Sequence, residues 1–207
     1  MKFSVIMAST LAEYGGAASR RDEKIVRAID SVIAQTFTDW ELIVVADGCM
    51  KTMAIVARYD DPRIKAVKID KRPWWDGAPR NKGIELAKGE YIIYIDNDDY
   101  WGDGHLQGIA DEIGDLDWAY FNDWIYSGGD WIPRNCDIKR LGANGTSNVC
   151  HRKSLGVLWG HRGYAHDHYF NQKLLRFRNY KKINAGEYCV CHIPGGAGSG
   201  SYSHLTL

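Results

Sequence analysis

The segment that most constrains this chain is Glu41–Ala46, Glu-Leu-Ile-Val-Val-Ala, which becomes continuously apolar without alternating polar positions. A strand of this kind is buried on both faces, as in a parallel sheet covered by helices. The flanking sequence fits such a sheet. Phe3–Met7 is a second short apolar run with β-branched residues, and Lys24–Gln35 sets Ile25, Ile29, Val32 and Ile33 at helical spacing. A short helix around Thr52–Tyr59 precedes a strand at Ile64–Ile69. A helix over Ala78–Lys88, with Gly89 as its C-terminal cap, precedes an apolar strand at Tyr91–Ile95. This β-α-β-α order predicts an α/β fold, a doubly wound and mainly parallel sheet flanked by helices. Ligands of such sheets bind beyond the carboxyl ends of the strands. The loops of interest therefore follow Met7, Ala46, Ile69 and Ile95.

Beyond about residue 100 the alternation gives way to an irregular, aromatic-rich half. Trp118–Tyr126 reads as a strand whose tryptophans, Trp118 and Trp124, belong to the core. Asn148–His151 reads as a short strand and Asp167–Arg176 as a helix. The stretch Gly195–Ser201, nearly all Gly, Ser and Ala, reads as mobile.

A chain of 207 residues can bury about 70% of its unfolded surface around one core, so residues 1–207 are expected to form a single domain. Lys+Arg and Asp+Glu number 26 each, giving zero net charge, which excludes the whole-protein basic field of a nucleic-acid binder. No run approaches the roughly 20 apolar residues of a membrane span. Phe3–Ala8 after Lys2 is too short for the apolar region of a secretory leader. The five cysteines lack paired Cys-x-x-Cys spacing, which points to a reduced, cytoplasmic setting. Cys189-Val190-Cys191-His192 has no matching second half for a zinc site.

Chemistry concentrates at Asp96-Asn97-Asp98-Asp99. If the strand stays extended, Asp96 and Asp98 point to the same side. Two neighbouring carboxylates repel and call for a cation, and hard oxygen donors suit Mg²⁺ or Mn²⁺ bridging to substrate phosphates. The plainer reading is a solvated turn, for which Asp and Asn are good residues. Both readings stand on these residues alone.

Five segments occur in order: Ser4–Ser9, Ala28–Thr36, Trp40–Gly48, Ala78–Ile84 and Gly89–Asp99. Together they resemble the nucleotide-sugar-binding half of family-2 glycosyltransferases, over residues 1–105. The resemblance implies a GT-A fold and a nucleoside diphosphate sugar donor. It places Asp47 against the nucleotide base, where a carboxylate accepts the imide proton of uracil, so UDP is favoured. The family's usual Asp-Asp-Gly-Ser stands here as Ala46-Asp47-Gly48-Cys49. Ser9 matches a hydroxyl beside the nucleotide, and Arg80 an arginine at the same site. Asn97 lies within the acidic motif, whose last acid, Asp98, is the main ligand of Mn²⁺ or Mg²⁺. Asp96 reaches the ribose or the metal, and Asp99 faces away to stabilise the next turn. His192 matches a histidine near the metal, and as a third ligand it would favour manganese.

The same resemblance assigns the acceptor-side base to Asp167 in His166-Asp167-His168, with His166 or His168 as substitutes and N-capping of the helix as the structural alternative. Trp101 and Trp75 are expected to line the sugar site. The implied reaction is inverting transfer to a glycan, lipid-linked sugar or protein acceptor. Two rivals remain: a silent nucleotide-sugar or glycan-binding module, and a nucleotidyltransferase using Gly15-Gly16 and Arg20-Arg21 after the first strand.

Overall fold

The computed structural model describes residues 1–13, 19–73, 77–127, 130–160, 163–185 and 187–191. Three strand–helix units and a fourth strand open the chain: β1 (Phe3–Ser9), α1 (Arg21–Ile33), β2 (Trp40–Asp47), α2 (Met50–Val56), β3 (Ile64–Ile69), α3 (Ala78–Leu86) and β4 (Tyr91–Tyr94). The second half holds β5 (Tyr100–Trp101), α4 (His105–Ile113), β6 (Trp118–Tyr120), β7 (Asp123–Ser127), β8 (Asp130–Arg134), β9 (Val149–Arg152), α5 (His166–Leu174), β10 (Tyr180–Lys182) and β11 (Tyr188–Val190).

A seven-stranded sheet has the order β10-β6-β9-β4-β1-β2-β3. Strands β3, β2, β1 and β4 are parallel, while β9 runs antiparallel between β4 and β6. The doubly wound α/β sheet expected from the sequence is present. Its strands alternate between two cores. Phe3, Val5 and Met7 of β1 pack with Ile25, Ile29 and Val32 of α1 and with Leu106 and Ile109 of α4. Ile6 of β1, with Ile43 and Val45 of β2, packs on the other face with Ile84 of α3 and Phe170 and Leu174 of α5. Period-two side chains thus fill both faces of each central strand.

Three sequence expectations are corrected. Trp118–Tyr126 is two strands in two sheets, because β6 ends at Tyr120 and β7 joins a smaller sheet of order β5-β11-β7-β8. Asn148 pins the crossing: its amide donates to the Phe121 carbonyl at 3.3 Å and to the Asp123 carboxylate at 3.0 Å. Trp118 is fully buried, but Trp124 is 37% exposed. On β7 the pleat turns Ile125 toward the core and Trp124 outward.

Gly89 does not cap α3, which ends at Leu86, with Ala87 already extended. It is glycine because β1 passes against it. A Cβ there would stand 2.5 Å from the Ser4 amide nitrogen and 2.6 Å from the Phe3 carbonyl carbon. The Gly89 amide donates to Ser4 Oγ at 2.8 Å, and Ser4 Oγ donates to Glu41 at 2.8 Å. Burial opposes ionisation of Glu41, but Lys65, the Lys88 amide and Ser4 outweigh it and hold the pKa below the ordinary value. Gly89→Ala is expected to destabilise the fold by about 2–3 kcal/mol through forced displacement of β1. The thermal midpoint followed by circular dichroism should fall by roughly 4–12 °C. An unchanged midpoint would refute the close-approach explanation.

Candidate active site

The carboxyl ends of β1, β2 and β4 lie side by side, and the acidic loop leaves β4 at this edge. The loop is fixed from beneath. Asn97 Nδ2 donates to Ser9 Oγ at 2.9 Å, and Ser9 Oγ lies 3.0 Å from Thr52 Oγ1. Ser9 and Asn97 are both buried, so these two predicted ligand-binding residues serve here to fasten the loop to β1 and α2. The Asp99 amide donates to the Asp96 carbonyl at 3.2 Å, closing a turn.

The three acids of the loop have different surroundings. Asp99 is buried. It accepts from the Tyr188 hydroxyl, and from the Cys191 amide at 2.7 Å. These bonds tie the loop to β11, in keeping with the structural role expected for Asp99. Burial, then Asp98 and Asp96, push its pKa well above the ordinary carboxylate range. Asp98 is half-buried, and burial followed by the charge of Asp96 raises its pKa to about 6, against the pull of Arg21 and Lys24. Asp96 is more open and pairs with Arg80 Nη2 at 3.1 Å.

Arg80 sits in the first turn of α3. Its guanidinium also lies 3.5 Å from Thr146 Oγ1 and 5.0 Å from the Trp159 ring centroid. Asp167 lies in the first turn of α5, where the cap position is Ala165 and no side chain caps the helix. Its Oδ1 accepts from the His168 amide at 2.6 Å. Burial raises the Asp167 pKa and Asp96 adds to the rise, while the His168 amide and Arg80 oppose it. Arg80 is therefore the charge shared by the acidic loop and α5.

His166 is engaged on both ring nitrogens. Nδ1 donates to the Gly163 carbonyl at 3.0 Å, which leaves Nε2 to accept from Thr146 Oγ1 at 3.3 Å. Burial pushes its pKa down to about 3, so the ring is neutral. Asp47 is buried at the end of β2, accepting from Lys71 Nζ at 2.6 Å and the Arg72 amide at 2.7 Å.

One site expectation is corrected. Trp101 is 2% exposed and packs against His105 with ring centroids 4.7 Å apart. It is a core residue because β5 directs Trp101 inward and Tyr100 outward. His192 and Trp75, and the pair Gly15-Gly16, lie outside the described residues.

Thr146 joins Arg80 to His166, and three α1 cations, Arg21, Lys24 and Arg27, act on or hold the acidic loop; sequence reading named Arg21 only for the rival nucleotidyltransferase and gave the other three no role in the site. The signal for the cations was their three-residue spacing beside the apolar positions of α1.

Among the described residues no group of three or more His, Cys, Asp or Glu side chains converges as a metal cage. Asp98 and Asp96 are nevertheless a fitting donor pair for Mg²⁺ or Mn²⁺. Both are hard oxygen donors, Asp99 is committed to hydrogen bonds, and proximity to Asp96 makes ionised Asp98 short of positive charge.

The family model described as glycosyl transferase family 2 matches residues 18–135. The chain belongs to glycosyltransferase family 2. The Escherichia coli UDP-Glc:alpha-D-GlcNAc-diphosphoundecaprenol beta-1,3-glucosyltransferase WfgD is 27% identical over 198 residues, 90% of this chain and 74% of WfgD. The Staphylococcus aureus TarS 1–349 structure in complex with UDP-GlcNAc superposes with a TM-score of 0.76 at 21% identity, covering 97% of this chain and 62% of that one. The Pyrobaculum calidifontis mannosyltransferase PcManGT, in complex with GDP-Man and Mn²⁺, gives a TM-score of 0.64 at 12% identity over 91% of this chain and 56% of that one. These likenesses establish the fold. The chain spans 24% to 40% of the length of the first three curated relatives it matches.

The raised Asp98 pKa has a stability consequence. In the unfolded chain this carboxyl titrates near 3.8, and in the fold near 6. Holding it ionised therefore weakens the fold progressively between those pH values, and fully above them. Asp98→Asn is expected to melt higher than the unsubstituted protein at pH 7.5, with the gap closing toward pH 4. Added Mn²⁺ should raise the unsubstituted protein's midpoint more at pH 7.5 than at pH 5. A gap independent of pH would remove the burial-and-repulsion account of this loop.

Proposed function

We propose that this chain transfers a sugar from a nucleoside diphosphate sugar, UDP favoured, to an acceptor hydroxyl with inversion at the anomeric carbon. Residues 1–105 hold the donor and residues 106–207 supply the acceptor side of one domain. The observation that carries this reading is the shared placement of Arg80. It pairs with Asp96 and lies within electrostatic reach of Asp167, which brings the acidic loop and the α5 carboxylate to one strand edge. The wording of two relatives favours the donor class: WfgD is named for UDP-Glc and the TarS structure holds UDP-GlcNAc. PcManGT, solved with Mn²⁺, favours a divalent ion.

In this reading Asp98, with Asp96, holds Mn²⁺ or Mg²⁺, and His192 is a further candidate ligand. The ion supplies positive charge to a departing diphosphate. Asp47 meets the base, and to do so it shares its carboxylate with Lys71. Arg80 neutralises Asp96 and orients it. Asp167 takes the proton of the acceptor hydroxyl as the new C–O bond forms opposite the breaking bond to phosphate. Burial favours this role, since a raised pKa brings the base closer to working pH. The acceptor class is a glycan, lipid-linked sugar or protein hydroxyl.

The test is release of UDP from a panel of UDP-sugars with Mn²⁺ and candidate acceptors. Asp167→Asn is expected to lower kcat by about 100-fold or more while leaving UDP affinity within a few-fold. Asp98→Ala should abolish the gain in UDP affinity that Mn²⁺ provides, as read by calorimetry. UDP-sugar binding without turnover would instead favour a silent binding module. Pyrophosphate formed from UTP and a sugar 1-phosphate would favour a nucleotidyltransferase.

A further inference from the structure

Along α1 the cations Arg21, Lys24 and Arg27 follow at three-residue steps and so neighbour one another on the helix surface. The outer two are each committed to a backbone carbonyl. Arg21 donates to the Ala12 carbonyl at 2.6 Å and to the Thr10 carbonyl, holding the segment that follows β1. Arg27 Nη2 donates to the Asp98 carbonyl at 2.9 Å, and its guanidinium lies 4.9 Å from the Tyr100 ring centroid. It thus holds the acidic loop.

Lys24, between them, differs. It is 3% exposed, and among the described residues its Nζ has no hydrogen-bond partner. The charged groups whose fields act on it are Asp98, Arg27 and Asp99, with the Cys191 thiol, kept neutral by burial, also near, yet no ion pair forms between Nζ and a carboxylate among the described residues. A buried ammonium with an unfilled donor shell weighs against the fold unless an anion meets it. Solvation along an exposed stem does not account for it, because the residue is buried to its end. Its two neighbours frame it between the β1 loop and the acidic loop, at the strand edge where an α/β sheet receives phosphates.

We propose that Lys24 is a phosphate-binding residue, its Nζ meeting the diphosphate of the donor beside Asp98. This rests on the diphosphate-sugar reading of the site. During transfer the bond between the anomeric carbon and the β-phosphate oxygen breaks, and its electron pair stays on that oxygen. The Lys24 ammonium keeps its proton and offsets the charge that develops there.

Calorimetry on Lys24→Met and Lys24→Arg, with Mn²⁺ present, tests the proposal using UDP, inorganic pyrophosphate and uridine as probes. Lys24→Met is expected to weaken UDP and pyrophosphate binding roughly 10- to 100-fold and to leave uridine binding unchanged. Lys24→Arg should recover part of the loss. The apo thermal midpoint of Lys24→Met should equal or exceed that of the unsubstituted protein, since an unpaired buried charge is removed. Unaltered UDP and pyrophosphate affinity in Lys24→Met, or an equal loss for uridine, overturns the proposal. Lys24-dependent binding of pyrophosphate by a protein that ignores UDP retains Lys24 as a phosphate ligand and overturns the UDP assignment. Binding of neither probe by the unsubstituted protein overturns both.

Discussion

Three carboxylates, Asp96, Asp98 and Asp99, occupy four consecutive positions where a strand buried on both faces reaches the sheet edge. Their mutual repulsion, strengthened by the apolar sheet behind them, is the constraint around which the neighbourhood is organised. Each acid has its own remedy. Asp99 is buried and satisfied by Tyr188 and the Cys191 amide. Asp96 is more open and paired with Arg80. Among the described residues the Asp98 carboxylate has no hydrogen-bonded cation and is not fully exposed, and its pKa of about 6 expresses that deficit. Arg21 and Lys24 attenuate the cost through their charge, and no ion pair to this carboxylate forms among the described residues.

The same constraint explains why distant segments meet here. Arg80 from α3, Thr146 from the turn before β9 and His166 from α5 form a chain of polar contacts that begins at Asp96. Its far end fixes the first turn of α5 and with it Asp167. A neutral His166 is consistent with this arrangement, since a second cation beside Arg80 would be repelled, and Arg80 indeed adds to the lowering of its pKa. Beneath the loop, Ser9, Thr52 and Asn97 exchange hydrogen bonds in a buried cluster. The residues that touch ligand in the proposed site are thus few, and most polar side chains nearby hold those few in place.

Much of the first half was legible because its signals are local. Apolar runs such as Leu42–Ala46 and the helical spacing of Ile25, Ile29 and Val32 declare burial without reference to the rest of the chain. The small sheet was not legible. Its strands β5 and β11 are two and three residues long and pair across almost ninety positions, too short for a period to show. That is also why Trp101 and Trp124 were misassigned: which of two adjacent residues faces inward depends on a register set by distant partners. In the candidate site, motif order singled out Asp96, Asp98, Arg80 and Asp167, and the fold brings Arg80 to Asp96 and within electrostatic reach of Asp167. The α1 cations were not, because a charge beside an apolar stripe ordinarily reaches water along its stem, and only the packed structure reveals that Lys24 does not.

With Asp99 committed to β11, the described chain leaves two carboxylates for an ion whose hard coordination shell holds six or more oxygens. In the proposed reaction Asp96 and Asp98 would hold the ion, which would supply positive charge to the diphosphate. An ion held this way has little to gain from the protein alone, and the diphosphate little to gain from the ion unless the protein fixes both. Donor and ion would then bind with mutual reinforcement, which thermodynamic reciprocity makes equal in both directions. A partly satisfied acidic loop is suited to that arrangement: the electrostatic deficit left at Asp98 in the free protein would become differential affinity for the proposed cation and for the anion that accompanies it.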